Sequence, residues 1–121
     1  MASTEVRNLN REKQSFSATL DDRGDRPTVI VRGEIDVATA DEFERTLNAA
    51  SRAGTDVVID LSDTSFMDST GLSVLVRVAA VLDELGEGQR RLIVDSPCVT
   101  IHKTLVISGL DRLVTITNPA G

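Results

Sequence analysis

The chain has no tryptophan and no tyrosine, and only three phenylalanines, one cysteine and one histidine among 121 residues. So few aromatics argue against the stacking platforms that hold single-stranded nucleic acid. A lone cysteine, Cys98, forms no internal disulfide, and with the single histidine, His102, it supplies too few ligands for a Cys/His zinc site. Cys98 follows Pro97 and has no basic neighbour nearer than Lys103, so it reads as a structural thiol. Positive charge is also short: 13 Lys and Arg against 19 Asp and Glu leave a formal net charge of −6. An acidic chain without a basic stripe is repelled by nucleic acid and by anionic membrane surfaces. Long apolar runs are missing too. The longest, Gly71 to Leu82, is broken by Ser73 and Arg77 and is too short to span a bilayer, and the first fifteen residues hold no apolar signal segment. The expectation is a cytoplasmic monomer that takes neither nucleic acid nor membrane as partner.

Catalytic patterns are absent as well. No G-x-G-x-x-G or G-x-x-x-x-G-K-[ST] cradles a nucleotide, and no G-x-S-x-G marks a nucleophile elbow. His102 is the only imidazole base, it falls inside an expected helix, and nothing places it near a serine. Asp68-Ser69-Thr70-Gly71 shares letters with the D-[ST]-G of aspartic proteases. Its spacing is off by one, and no second copy exists to pair the carboxylates. No catalytic residue, metal ligand or cofactor is expected.

What the sequence does have is a core and a clear alternation of elements. It is 40% hydrophobic, long enough for one domain without covalent staples. Residues 1–14 are polar and aperiodic and read as a mobile tail, and 118–121 as a short C-terminal tail. Ser15 to Leu20 alternates, with Phe16, Ala18 and Leu20 on one side, and Thr28 to Glu34 follows the turn segment Asp21 to Pro27, which holds three Asp, Gly24 and Pro27. These two strands are close enough to pair as a hairpin. Thr39, with Glu42 three residues on, reads as a capping box opening a helix that Gly54 stops. Val57 to Leu61 reads as a strand covered on both faces. A second helix starts near Ser69 and ends near Gly86 or Gly88, its expected buried stripe being Leu72, Leu75, Val76, Ala79, Leu82 and Leu85. Arg91 to Val94 is a further strand. Pro97 suits the first turn of a third helix that Gly109 ends, and Leu113 to Ile116 is a last strand. The order β-β-α-β-α-β-α-β predicts a single α/β domain over 15–117. Its mixed, mostly parallel sheet has about five strands, and right-handed crossovers keep the helices on one face.

Two segments lie where strands give way to helices. In Ser65 to Leu72, Asp68, Ser69 and Thr70 are all capable N-caps, so an ordinary helix start accounts for the pattern. The same position also exposes a hydroxyl beside helix amides, where a phosphate could be held and where Asp68 would add repulsion. In Gly33 to Ala40, Asp36 follows a strand as Ser69 does, and both would emerge at the carboxyl edge of a parallel sheet, where α/β folds place binding surfaces.

Taken together the two segments resemble the STAS domains of anti-sigma factor antagonists. That family shows G-E-[LIV]-D-x-x-T-A ahead of its first helix, as in Gly33 to Ala40, and F-[MIL]-D-S-[ST]-G-L ahead of its second, as in Phe66 to Leu72. Its L-x-x-x-G-L is matched by Leu105 to Leu110. The resemblance implies a partner switch. The serine after the Asp, here Ser69 with Thr70 as the weaker candidate, is phosphorylated by an anti-sigma factor that is also a serine kinase. The unphosphorylated protein binds that factor and frees the sigma factor, and a serine phosphatase resets the phosphorylated form. ATP and magnesium belong to the kinase. Asp36, Thr39, Asp68, Ser69, Thr70 and Gly71 are the implied partner-binding residues. Two other classes stand beside this one: a structural STAS subunit of a stressosome or transporter complex, and a small hydrolase or transferase using Ser69.

Overall fold

The structure, a computed structural model, describes residues 15–120. The expected tail at 1–14 lies outside the described residues, as does Gly121. Among the described residues five strands form one sheet in the order β1-β2-β3-β4-β5. They are β1 Ser17–Asp21, β2 Thr28–Ile35, β3 Val57–Met67, β4 Leu92–Asp95 and β5 Thr115–Thr117. Three helices, α1 Ala40–Ser51, α2 Ser69–Leu85 and α3 Val99–Ile107, cross between the last four strands. Six residues separate β1 from β2, and that short link permits only an antiparallel pair. Each later strand is reached through a helix and pairs parallel to its predecessor.

Crossovers of one hand between neighbouring strands put the helices on one face. There Val29, Val31, Val57, Ile59, Leu61 and Val94 close a single core with Phe43, Leu47, Leu75, Leu82, Ile101 and Leu105. On the other face Thr28, Ile30, Val58 and Asp60 stay half-exposed, so β3 is covered on one side rather than on both. Arg77 of α2 and Glu44 of α1 tie the two helices with paired contacts of 2.9 and 3.0 Å, and Arg77 holds the Glu44 carboxyl below its usual range. At the far end, the Arg90 guanidinium donates to the carbonyls of Ser51 (2.6 Å) and Thr55 (2.7 Å), closing off the C-terminal end of α1.

Several expectations need correction. β3 runs to Met67 instead of stopping at Leu61. Register shifts in its pairing with β2, between Ile30 and Arg32 and between Gly33 and Glu34, let the polar stretch Ser62 to Ser65 keep pairing. Val31, skipped by the ladder, has its carbonyl satisfied by the buried Thr64 hydroxyl at 2.8 Å. Gly33 serves this irregularity with φ +97°; a Cβ there would lie 2.6 Å from the Ser15 carbonyl oxygen. In α2 the buried stripe is Gly71, Val74, Leu75, Val78 and Leu82, while Val76 and Leu85 face solvent. Pro97 precedes the Cys98 N-cap of α3 instead of entering its first turn. Leu110–Arg112 form a 3-10 turn after Gly109, which delays β5 to Thr115.

Candidate functional site

The long β3 is what assembles the site. Its last residue, Met67, pairs with Ile35, the last of β2, and the Asp68 amide donates to the Ile35 carbonyl at 3.1 Å. Asp36 and Asp68 therefore leave the sheet side by side at its carboxyl edge, and Ser69 follows Asp68 there, as the sequence predicts for Asp36 and Ser69. Val37, 80% exposed, and Phe66, 43% exposed, add apolar surface to these two turns. The sequence reading missed both, because neither carries a reactive group.

Asp68 caps α2 from extended backbone. Its Oδ1 accepts from the Thr70 amide at 2.9 Å, from the Gly71 amide at 3.4 Å, and from the Thr70 hydroxyl. The Thr70 hydroxyl does most to hold the Asp68 carboxyl below its ordinary pKa; partial desolvation opposes this, and the two amides add to the lowering. The Asp68 carbonyl takes the Leu72 amide at 3.1 Å. The amides expected to stand free for a phosphate are thus largely occupied by Asp68. Ser69, the first residue of α2, is exposed, and among the described residues its hydroxyl has no hydrogen-bond partner. One turn on, the Ser73 hydroxyl donates to the Ser69 carbonyl at 3.0 Å.

A cap that works through an ionised carboxylate titrates. Because the folded-state pKa of Asp68 lies below its unfolded value, the cap's contribution is complete above about pH 5 and fades as pH falls through the carboxylate range. The gap between wild type and Asp68→Ala in urea midpoint should stay constant from about pH 8 to 5 and narrow below about pH 4. A gap that is constant down to about pH 3 would assign the cap to something other than the charge.

Gly71 is buried where α2 meets the ends of β2 and β3. A Cβ there would lie 2.6 Å from Met67 Cγ and 2.8 Å from Ile35 Cγ2, and Ile35 has no exposed surface into which to move. Gly71→Ala should cost about 1–3 kcal/mol of stability by overpacking, measured by denaturant unfolding. An unchanged midpoint would show that Met67 swings aside freely.

On the first turn, Thr39 behaves otherwise than the capping box predicts. It occupies the N-cap position of α1, but its side chain makes no cap hydrogen bond. The hydroxyl donates to the Glu34 carbonyl at 2.8 Å and accepts from the Asp36 amide at 2.9 Å, bracing the turn itself. The Asp36 carboxylate is partly engaged in the same turn, taking the Ala38 amide at 2.9 Å. The edge so built brings together, among the described residues, the Asp36 and Asp68 carboxylates, the Ser69 hydroxyl without a hydrogen-bond partner, and the exposed Val37 and Phe66 side chains. Among the described residues no group of His, Cys, Asp and Glu is arranged to hold a metal ion, and no helix is long and apolar enough to cross a membrane.

This geometry has relatives. The STAS domain family matches residues 19–119. The anti-sigma-B factor antagonist of Staphylococcus aureus is 34% identical over 87 residues, covering 71% of this chain and 78% of its own. A crystal structure of an anti-sigma factor antagonist from Mycobacterium paratuberculosis superposes with a TM-score of 0.71 at 27% identity, covering 86% of each chain. SpoIIAA in its unphosphorylated form, an anti-sigma factor antagonist, shares the fold with a TM-score of 0.62 at 24% identity, covering 83% of this chain and 87% of that one. The same Bacillus protein is also known in its phosphorylated form. The chain thus belongs to the STAS domain family, among the anti-sigma factor antagonists.

Proposed function

We propose that this protein binds an anti-sigma factor that is also a serine kinase while Ser69 is unmodified, and releases it once that kinase has phosphorylated Ser69. Sigma factor availability then follows the state of one hydroxyl. The kinase transfers the γ-phosphoryl group of ATP to Ser69 Oγ, takes up the hydroxyl proton and releases ADP; a serine phosphatase hydrolyses the ester and restores the binding form. The family's role is regulatory rather than catalytic, and this chain contributes an acceptor and a surface. A cytoplasmic location accompanies such a partner.

The observation that carries this reading is the contrast between two adjacent hydroxyls. The Thr70 hydroxyl donates to the Asp68 carboxylate, and phosphorylation there would remove that bond and set a second anion against the capping carboxylate. Ser69 is exposed, and its hydroxyl has no partner among the described residues to give up. Asp36 and Asp68 offer charge to a basic partner surface, Val37 and Phe66 offer apolar contact, and Thr39 and Gly71 hold the two turns in shape. That a protein of this fold, SpoIIAA, occurs phosphorylated and unphosphorylated is consistent with such a switch.

Incubation with the cognate kinase and ATP, followed by phosphosite mass spectrometry, tests the assignment. One phosphate on Ser69 and none on Ser69→Ala is expected. Equal labelling of Ser69→Ala and wild type, or phosphate on Thr70 of the wild type, would overturn it.

A further inference from the structure

A second surface lies along α2, in a groove between that helix and the 3-10 turn at Leu110–Arg112. Its apolar lining comes from Val76, Ala79 and Ala80 on the helix side, Leu92 of β4, and Leu113 on the other side. Val76 is 40% exposed and Leu113 is 55% exposed, so the groove is open to solvent although its lining is that of a packing site. Val76, Ala79, Ala80 and Asp83 recur at the spacing of a helix–helix seam, and the two alanines let another backbone approach closely.

Charge decides what fits. Asp83, Arg90 and Arg112 line the same groove; the Arg90 guanidinium is committed to the Ser51 and Thr55 carbonyls, whereas among the described residues neither Asp83 nor Arg112 has an ion pair or a side-chain hydrogen bond. An unrelated partner would have to bring a cation and an anion at matching positions. A second copy brings both, because in a two-fold interface every contact from one residue to another recurs in reverse. Asp83 of each copy then meets Arg112 of the other, and the apolar lining closes between the two pairs.

We propose that this groove is a two-fold interface through which two copies of the chain associate. The groove is small beside standard interfaces, so the dimer is weak and in exchange with the monomer. Association is independent of Ser69 phosphorylation, so the test uses unmodified protein without kinase, and its outcome leaves the partner switch untouched.

Sedimentation equilibrium from roughly 10 μM to 1 mM is the measurement. The weight-average mass should rise from 13.0 kDa toward twice that value. Asp83→Arg alone and Arg112→Asp alone should each weaken association by about tenfold or more, since like charges then face each other. The double swap, Asp83→Arg with Arg112→Asp, should restore it. Ala80→Glu, on an exposed helix position outside the core, should hold the protein monomeric with an unchanged circular dichroism spectrum. A monomer over the whole range would overturn the proposal and leave the groove to a partner segment. So would a dimer whose constant is indifferent to the single and double swaps.

Discussion

Ser69→Glu is expected to fold as the wild type does and to bind the anti-sigma partner at least ~100-fold more weakly, whereas Ser69→Ala keeps wild-type affinity and takes no phosphate. The argument starts from where a charge at Ser69 would sit. A phosphoryl group adds about −1.5 to −2 at pH 7. An anion at a free helix N-terminus gains about 0.3–1 kcal/mol, but here the Thr70 and Gly71 amides already serve the Asp68 carboxylate. Asp68, held ionised chiefly by the Thr70 hydroxyl and further by those amides, stands next to the new charge and repels it. The phosphate therefore stays out in solvent, where the fold tolerates it and a docked surface does not. Burying it against groups matched to a neutral hydroxyl costs several kcal/mol, and each 1.4 kcal/mol is tenfold in affinity. Calorimetric titration of wild type, its phosphorylated form and both variants against the cognate kinase reads this directly. Equal affinity for wild type and phosphorylated protein would reduce Ser69 to an ordinary first residue of a helix.

The parts of this site that the sequence shows are those decided locally. A cap among Asp68, Ser69 and Thr70 is legible wherever the backbone turns into a helix, the structure making it Asp68, and the order of apolar segments alone dictates crossovers and a shared edge. What was hidden depends on contacts distant in sequence. The stretch Ser62 to Ser65 is polar and lies beyond the strand that the sequence ends at Leu61. It is strand because Thr64 reaches Val31, 33 residues earlier, and β2 bulges to keep register. Thr39 and Glu42 have the spacing of a capping box. The Glu34 carbonyl, held in place by the sheet, offers the Thr39 hydroxyl a different partner. Gly71 reads as a helix-start glycine until Ile35 and Met67 are brought against it.

Leu75→Ala should cost about 2–5 kcal/mol and Val76→Ala less than about 1 kcal/mol, although the two residues are neighbours in one apolar run. A helix of 3.6 residues per turn rotates about 100° from one residue to the next, so an apolar run longer than a turn cannot all face the core. The sequence leaves the choice of face open, since Leu72, Leu75, Val76 and Ala79 make as regular a stripe as Gly71, Val74, Leu75, Val78 and Leu82. Gly71 settles it. Its close approach to Ile35 and Met67 turns position 71 inward at the helix start, and 74, 75, 78 and 82 follow at helical spacing. Leu75 is then fully enclosed, and truncation leaves a cavity that the sheet beneath cannot fill. Val76 keeps 40% of its surface in water and loses little. Urea unfolding of the two variants in parallel measures the difference. Similar losses at 75 and 76 would mean that α2 is rotated toward position 76, and the Gly71 contact with Ile35 would have to be abandoned with that face.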